Sequence, residues 1–260
     1  MKTVAVVQAR MGSTRLPGKV MMDIVGKPML WHHVNRLRKA RLVNQVVVAT
    51  TDQERDRPIR SFAEGNGIPY YAGSELDLVD RLYQTANKFG ADVVVRVTGD
   101  CPLVDPQVID RMLAYYADNR DRLDYVCNNS PPTYPDGLDA EVISVRALER
   151  VWSEVTDPFQ REWISSNFRE HPEKYVIANV ENDQDLSSMR WTVDYEDDLK
   201  FVRAVYERLH RGGEVFLMKE VLELLSREPE LAEISNGHRR DQAYTEALKE
   251  HRSHLPSNPG

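Results

Sequence analysis

The sequence predicts a three-layer α/β/α domain with a Rossmann-like, mainly parallel sheet. Two observations lead to this prediction. Through the first half of the chain, short apolar runs typical of buried strands alternate with segments whose apolar residues recur at helical spacing. Strands and helices that alternate at these lengths form right-handed βαβ units, which place successive strands parallel in one sheet and cover both of its faces.

The first half contains four strands and four helices in this pattern. The strands are predicted at Val4–Val7, Val46–Thr50, Ile68–Ala72 and Val93–Thr98. The helices are predicted at Met29–Lys39, Ile59–Gly65, Leu76–Phe89 and from Pro106 onwards. Pro28 suits the first turn of the first helix, and Gly90 ends the third.

The second half is less regular. Strands are predicted at Asp124–Asn128, Ala140–Val145, Tyr175–Val180 and Met189–Val193. Helices are predicted at Arg146–Val155, Gln160–Arg169, Glu196–Leu209 and Glu214–Leu225. We expect one domain over residues 1–235, within which residues 120–180 are a candidate inserted lobe. Residues 236–260 are predicted to be a partly disordered C-terminal tail, because the pattern weakens and the last residues are polar with two prolines.

Composition narrows the class of protein. Of 260 residues, 41% are hydrophobic, which is enough for a sizeable core, and no apolar run approaches the ~20 residues that span a bilayer. The first residues lack a secretory signal pattern, and two cysteines cannot form a disulfide framework, so we expect a reducing, cytoplasmic location. A net charge of −7 without a long basic stripe argues against nucleic acid as a partner.

The loop Gln8–Lys19 follows the first predicted strand and has the composition of an anion site. Small residues let backbone N–H groups approach an anion, and arginine and lysine supply positive charge. The small residues are Gly12, Ser13, Thr14 and Gly18, and the cationic residues are Arg10, Arg15 and Lys19. Residues 2–41 hold nine Lys or Arg and one acid, although the whole chain is acidic. This asymmetry favours a local site for a triphosphate over the alternative of a solvated surface loop.

Two aspartates stand at the ends of predicted strands, where parallel sheets build their sites. Asp100 follows Val93–Thr98, and Asp194 follows Met189–Val193. A carboxylate in either place can hold Mg²⁺. Asp100 could instead stabilise a turn, and Asp194 could be a helix N-cap. The acids Glu196, Asp197 and Asp198 suit the first turn of the next helix and need no other role.

Two further segments are candidates for substrate contacts. The segment Ser74–Arg81 ends in Asp80-Arg81, which can also be a solvated helix face. The segment Tyr134–Glu141 combines a Pro-Gly turn with carboxylates that could hold sugar hydroxyls or an amine, or could form an ordinary acidic turn. Its candidate substrate-binding residues, with a polar neighbour upstream, are Asn128, Tyr134, Asp136, Asp139 and Glu141.

Three of these motifs resemble those of the CMP-sugar synthetases, the cytidylyltransferases that activate KDO and sialic-type acids. They are Ala9-Arg10 with Gly12–Lys19, Gly99-Asp100-x-Pro102, and Val193-Asp194 before an acidic helix start. The segment Tyr134–Glu141 resembles the branch of spore-coat polysaccharide biosynthesis proteins. The resemblance runs from residue 3 to about residue 225 and implies the nucleotide-diphospho-sugar transferase fold.

The resemblance also implies roles for individual residues. CTP would be bound by Ala9, Arg10, Gly12, Ser13, Lys19, Arg81 and Asp100, and Mg²⁺ by Asp100 and Asp194. The residues implied in catalysis are Arg10, Arg15, Lys19 and Asp100. Arg81 matches the arginine that reads the base, but Asp77-Leu78-Val79 replaces the family's Ser-Gly-Thr just upstream, which puts cytosine specificity in question.

The implied reaction is transfer of a cytidylyl group to an acidic sugar or sugar-phosphate acceptor with release of pyrophosphate, in a homodimeric enzyme. Two alternatives stay open at this point. A GT-A-type glycosyltransferase would use a ready-made nucleotide sugar, although the long cationic loop and the lack of an Asp-x-Asp after a mid-domain strand disfavour it. A non-catalytic nucleotide-binding protein would retain the fold and bind CTP without turnover.

Overall fold

A computed structural model describes residues 1–235 and 237–254, and a seven-stranded sheet lies at its centre. The strands are β1 Thr3–Gln8, β2 Asp23–Ile24, β3 Lys27–Pro28, β4 Gln45–Thr51, β5 Tyr70–Gly73, β6 Val93–Thr98, β7 Tyr125–Cys127, β8 Glu141–Ser144 and β9 Ile177–Asn179. The sheet order is β5-β4-β1-β6-β8-β7-β9, and β2 and β3 form a separate two-stranded ribbon. Among the described strands of the seven-stranded sheet, only β8 runs antiparallel to its neighbours, so the predicted mainly parallel sheet is confirmed.

Helices cover both faces of this sheet. They are α1 Met29–Leu37, α2 Arg57–Gly65, α3 Leu78–Lys88, α4 Pro106–Asn119, α5 Val145–Glu154, α6 Pro158–Glu162, α7 Ile164–Glu170, α8 Glu196–Leu209, α9 Met218–Arg227 and α10 Gln242–His254. Short 3₁₀ helices occur at Lys19–Met21, Glu54–Asp56 and Pro229–Ser235.

Strand β1 shows why its sequence is apolar at consecutive positions. Ala5 and Val7 face the layer of α1, α2, α4 and α8, while Val4 and Val6 face the layer of α3, α5 and α7. A parallel strand in the middle of a three-layer domain is buried on both faces, so it needs no polar alternation. Within the described residues no helix has both the length and the apolar character needed to cross a bilayer.

Three elements differ from their predictions. Met189–Val193 is extended but joins no strand, because its backbone bonds go to loops: Trp191 N–H donates to the Asp136 carbonyl at 2.6 Å and Val193 N–H to the Asp100 carbonyl at 2.8 Å. The helix predicted over Gln160–Arg169 is divided into α6 and α7 at Trp163, whose ψ of 64° is not helical.

The third difference concerns the segments that were expected to stand apart from the domain. Residues 120–180 supply β7, β8 and β9 to the main sheet and so are part of it rather than an inserted lobe. The predicted C-terminal tail contains helix α10 up to His254. The rest of that prediction, at residues 236 and 255–260, lies outside the described residues.

Candidate functional site

The loop after β1 lies at the edge of the sheet where the parallel strands end. It closes on itself through the Gly18 N–H, which donates to the Met11 carbonyl at 3.0 Å, and Gly18 has a φ of 72° that favours glycine. Asp56, fully buried at the end of the 3₁₀ helix after β4, accepts a bond from the Met11 N–H at 2.6 Å. The loop is therefore fixed to the neighbouring strand connection.

Gly99 brings the end of β6 against the end of β1. A Cβ atom at this position would lie 2.5 Å from the carbonyl oxygen of Gln8, a separation that real Cβ atoms do not adopt. Glycine therefore permits Asp100, the next residue, to stand directly beside the loop.

Lys19 joins the loop to both predicted aspartates. Its Nζ lies 2.7 Å from Asp100 Oδ2 and 2.9 Å from Asp194 Oδ1, and it also donates to the Val193 carbonyl at 2.8 Å. The side chain of Lys19 is only 9% exposed, against 25% for Asp100 and 14% for Asp194. Two carboxylates from distant parts of the chain thus face each other across a single nitrogen atom.

The charges of this cluster stabilise one another. Burial alone would raise the pKa of Asp100, but the Lys19 ammonium outweighs it and holds that pKa well below its usual value. Burial likewise opposes the charge of Lys19, and the two carboxylates raise the pKa of the ammonium despite it. Lys19 and Asp100 are therefore both charged at neutral pH.

Arg190 and Asp198 hold Asp194 in place, a role that the sequence analysis gave to neither. Asp198 was interpreted as a helix-start acid that needs no other role, and its hydrogen bonds show that this was wrong. Asp198 is fully buried; it accepts from Arg190 Nε at 2.9 Å and Nη2 at 3.0 Å, and from the backbone N–H groups of Asp194 and Tyr195 at 2.8 and 2.9 Å. Arg190 also reaches Asp194 Oδ2 at 3.1 Å. Arg190, Asp194 and Asp198 follow one another at intervals of four residues, which the sequence shows. An acid in the first turn of a helix is already explained by the helix dipole, so nothing in the sequence pointed to a buried partner for Asp198.

The other loop residues surround this cluster. Arg15 Nη2 lies 2.7 Å from Asp194 Oδ1, and Arg10 Nη1 lies 3.3 Å from Glu162 Oε1. Ala9 is buried, and Ser13 Oγ accepts a long bond from the Leu16 N–H at 3.4 Å, which stabilises the turn. The structure thus brings Arg15, Lys19, Asp100 and Asp194 together, with Arg10 paired to another acid.

Gly12 lies against a residue that sequence reasoning missed. A Cβ at Gly12 would lie 3.2 Å from the guanidinium of Arg55, which pairs with Glu75. Arg55 had no motif around it, and only the position after a parallel strand could have indicated it. The loop is therefore bordered by a further cation.

Arg81 stands apart from the carboxylate pair. It is buried on α3, and its guanidinium donates to the carbonyl of Ser74 in the loop after β5. Burial lowers the pKa of Arg81, with the nearby arginines adding to the effect. Its predicted contact with a base is not tested by these bonds and stays a prediction.

Three of the five residues predicted to bind substrate lie in the interior. Asn128 donates to the Leu138 carbonyl at 2.8 Å and accepts from the Ala140 N–H at 2.9 Å. Glu141 binds Arg96 at 2.6 Å and the Tyr125 hydroxyl at 2.8 Å. Tyr134 is buried. Asn128 and Glu141 hold the turn between them and so position the remaining candidates.

Asp136 and Asp139 lie on that turn, closer to the ion-pair cluster. Asp136 Oδ2 accepts from Arg190 Nη1 at 3.0 Å, and Asp139 pairs with Arg240. Burial raises the pKa of Asp136 to about 6 and that of Asp139 to about 7, against the opposing effect of Arg240. These carboxyl groups are available as hydrogen-bond partners for a polar ligand.

The segment after the last predicted helix covers the outer side of the cluster. Besides its pair with Asp139, Arg240 donates to the Tyr134 carbonyl at 3.1 Å, and Ser235 Oγ donates to the Arg190 carbonyl at 3.1 Å. The ring of His238 stacks on Tyr195 with centroids 3.6 Å apart. The contacts of Ser235, His238 and Arg240 named here join residues far apart in the sequence, so the local pattern gave no sign of them.

The donor set of Asp100 and Asp194 fits Mg²⁺. Mg²⁺ prefers oxygen ligands and is commonly held by one or two carboxylates together with substrate phosphates. The two side chains already share one cationic nitrogen, so their oxygens converge on one point. Among the described residues no group of three or more His, Cys, Asp or Glu converges as a metal site made by the protein alone.

A cationic loop beside paired carboxylates, at the carboxyl edge of a three-layer α/β sheet, defines a nucleotidyltransferase-like protein. Comparison with known proteins makes this specific, because residues 4–222 match the cytidylyltransferase family model. The chain belongs to the cytidylyltransferase family, as the resemblance had predicted.

Two of its relatives differ in how much of the chain they match. The spore coat polysaccharide biosynthesis protein SpsF of Bacillus subtilis is 30% identical over 236 residues, covering 87% of this chain and 95% of SpsF. The 3-deoxy-manno-octulosonate cytidylyltransferase of Geobacter sulfurreducens is 41% identical over 119 residues, which cover 46% of this chain and 47% of that enzyme.

Solved structures agree on the fold. A cytidylyltransferase of Leptospira borgpetersenii superposes with a TM-score of 0.86 at 30% identity, over 92% of this chain and 99% of that one. The CMP:2-keto-3-deoxy-manno-octonic acid synthetase, solved with CTP, superposes with a TM-score of 0.62 at 24% identity, over 80% of this chain and 99% of that one. The predicted fold class is confirmed.

Proposed function

We propose that the protein transfers the cytidylyl group of CTP to an acidic sugar or sugar-like acceptor, with release of pyrophosphate, in the synthesis of a surface polysaccharide. The observation that supports this most is the meeting of Arg15 and Lys19 with Asp100 and Asp194 at one point of the sheet edge. Family membership and the names of the relatives support the choice of CTP and of a sugar acid.

The chemistry needs positioning and charge stabilisation more than a strong base. An acceptor hydroxyl forms a bond to the α-phosphorus, the bond from that phosphorus to the pyrophosphate oxygen breaks, and the hydroxyl proton passes to solvent. Arg10, Arg15 and Lys19 would bind the phosphates and stabilise the charge that develops on them. Mg²⁺ held by Asp100 and Asp194 would supply further neutralisation of the triphosphate.

The acceptor side is assigned to Asp136 and Asp139. Both lie on the turn that Asn128 and Glu141 fix, and neither is fully buried. Carboxyl groups whose pKa values lie near 6 and 7 can accept or donate hydrogen bonds to sugar hydroxyls. Asn128, Tyr134 and Glu141 would then act by holding this turn.

Pyrophosphate release is the direct test. Purified protein is incubated with CTP, Mg²⁺ and a panel of 2-keto-3-deoxy sugar acids and sugar phosphates, with and without EDTA. We expect release that EDTA abolishes, and that Asp100→Ala and Asp194→Ala each abolish. Asp197→Ala, an exposed acid paired with Lys200 close by in the chain, is the matched control and should keep full activity. Unchanged turnover in either site variant removes that residue from the proposed metal pair.

Nucleotide choice is tested separately by thermal shift with CTP, UTP, GTP and ATP. A ligand that binds only the folded state raises the midpoint, so CTP should give the largest increase. A larger increase with another nucleotide would overturn the assignment of the base. Light scattering of the same samples tests the homodimer that the family resemblance implies.

A further inference from the structure

Arg55 borders the phosphate loop but belongs to a different strand connection. It lies on the 3₁₀ helix Glu54–Asp56 that follows β4, and its guanidinium would be 3.2 Å from a Cβ placed on Gly12. Its side chain is 52% exposed, more than those of Arg10, Arg15 or Lys19. Arg55 therefore stands at the open side of the loop.

The residue next to it fixes this position. Asp56 is fully buried and accepts from both the Met11 N–H and the Thr51 hydroxyl, which ties the 3₁₀ helix to the loop on one side and to the end of β4 on the other. The sheet order β5-β4-β1 places this connection between the loops that follow β1 and β5. Arg55 therefore lies between these two loops, beside Gly12 of the first and paired with Glu75 of the second.

Its present partner belongs to the loop after β5. Glu75 pairs with Arg55, and this carboxylate is 23% exposed. In the same short loop, the Ser74 carbonyl accepts a hydrogen bond from the Arg81 guanidinium, and the Leu76 side chain is exposed to solvent. The ion pair thus connects the phosphate loop to the segment for which a base contact is predicted.

We propose that Arg55 is a fourth phosphate-binding cation of the site and that Glu75 competes with the nucleotide for it. This inference rests on the proposed function, since it assumes a triphosphate on the loop. A triphosphate carries about four negative charges and offers several oxygens to the planar guanidinium fork, whereas Glu75 offers one charge. Arg55 then leaves Glu75 for the phosphates when nucleotide binds.

Calorimetry with two probes tests this without any acceptor. CTP and inorganic tripolyphosphate are titrated into the wild type, Arg55→Ala, Glu75→Gln and the control Arg57→Ala, which removes an exposed arginine paired with Glu54. Arg55→Ala should weaken the binding of both probes about tenfold or more. Glu75→Gln should strengthen both by about threefold, and Arg57→Ala should change neither.

The opposite signs separate this role from a structural one. Arg55→Ala and Glu75→Gln break the same ion pair, so a pair that only stabilised the fold would shift both affinities in the same direction. Equal binding of both probes by Arg55→Ala and the wild type overturns the inference and leaves the proposed function standing. Weakened binding of CTP alone also overturns it, because Arg55 would then contact the nucleoside.

The wild-type titrations keep the two proposals distinct. A wild type that binds tripolyphosphate but not CTP contradicts the proposed function, while the tripolyphosphate arm still decides the role of Arg55. A wild type that binds neither probe overturns both.

Discussion

Replacing Asp198 with asparagine is expected to destabilise the fold through the candidate site itself. The wild-type carboxylate is fully buried and accepts four hydrogen bonds, two from Arg190 and two from the backbone of Asp194 and Tyr195. Asparagine keeps the shape but turns one oxygen into a donor, so one N–H of the set faces another N–H and the buried charge opposite Arg190 is lost.

The size of this loss of stability depends on the partners that Arg190 keeps. Removing one partner of a buried ion pair costs about 3–5 kcal/mol. Arg190 keeps Asp136 and Asp194 as partners at 3.0 and 3.1 Å, so we expect the lower end of that range, about 3 kcal/mol. For a chain of this size the melting temperature should fall by roughly 6–12 °C.

Urea denaturation followed by tryptophan fluorescence measures this loss, since Trp191 is buried beside the network. Asp197→Asn is the matched control. It is the neighbouring residue, its side chain is exposed, and its pair with Lys200 lies at the surface, where solvent screens such pairs and they contribute little. A loss in Asp198→Asn no larger than that of the control would refute the argument that this acid anchors the site.

Three further substitutions test other parts of the structure. Gly99→Ala places a Cβ 2.5 Å from the Gln8 carbonyl and should lower the free energy of unfolding by about 1–3 kcal/mol. Gly65→Ala, where a Cβ has no atom within 4 Å, should raise that free energy by about 0.5 kcal/mol. Urea denaturation measures both. Burial lowers the pKa of His33 from 6.5 to about 4, so its contribution to stability is complete above pH 6.5 and is lost as the pH falls towards 4. That loss is about 3 kcal/mol, and His33→Met should remove it from a series of melts across this range. Lys19→Met should lower pyrophosphate release at least about a hundredfold.

Each of these three predictions would be contradicted by a particular result. Equal stability of the two alanine variants would show that the ends of β1 and β6 can separate without loss. An unchanged pH profile without the imidazole would assign the acid sensitivity to other groups. Turnover that survives the loss of the ammonium would exclude Lys19 from phosphate binding.

The sheet was predictable because burial on two faces leaves a plain signal. Val4–Val7 and Val93–Thr98 are central strands, and a short apolar run without alternation is what a central parallel strand requires. Asp100 and Asp194 followed from the rule that sites form where such strands end. Asp194 was found by this rule even though Met189–Val193 joins no strand, because that segment is extended along the loop of Asp136 and ends at the same edge.

The direction of a side chain was not predictable, and this limits the candidate substrate residues. Asn128 and Glu141 have residue types suited to sugars, but the pairing of β7 with β8 turns both towards partners inside the chain. Arg55, Arg190 and Arg240 were missed for a related reason. Their partners lie on other elements, and no local pattern records which distant acid an arginine will meet.

The charge balance of the cluster suggests how nucleotide binding proceeds. The three loop cations and the neighbouring Arg55 are each paired with an acid, in the sets Arg10–Glu162, Arg15–Asp194, Lys19–Asp100 and Arg55–Glu75. Four cations thus meet four carboxylates, and the resting site is close to neutral. A triphosphate adds about four negative charges, so it can bind well only if the cations leave their acids and the acids are neutralised or withdrawn.

The four acids differ in how they can respond to the loss of their cations. Glu75 and Glu162 each face one exposed arginine and can turn to solvent, while Asp100 and Asp194 converge on one nitrogen and can take another cation in its place. An exchange that frees Lys19 for the phosphates would therefore leave Asp100 and Asp194 open to the Mg²⁺ that we propose.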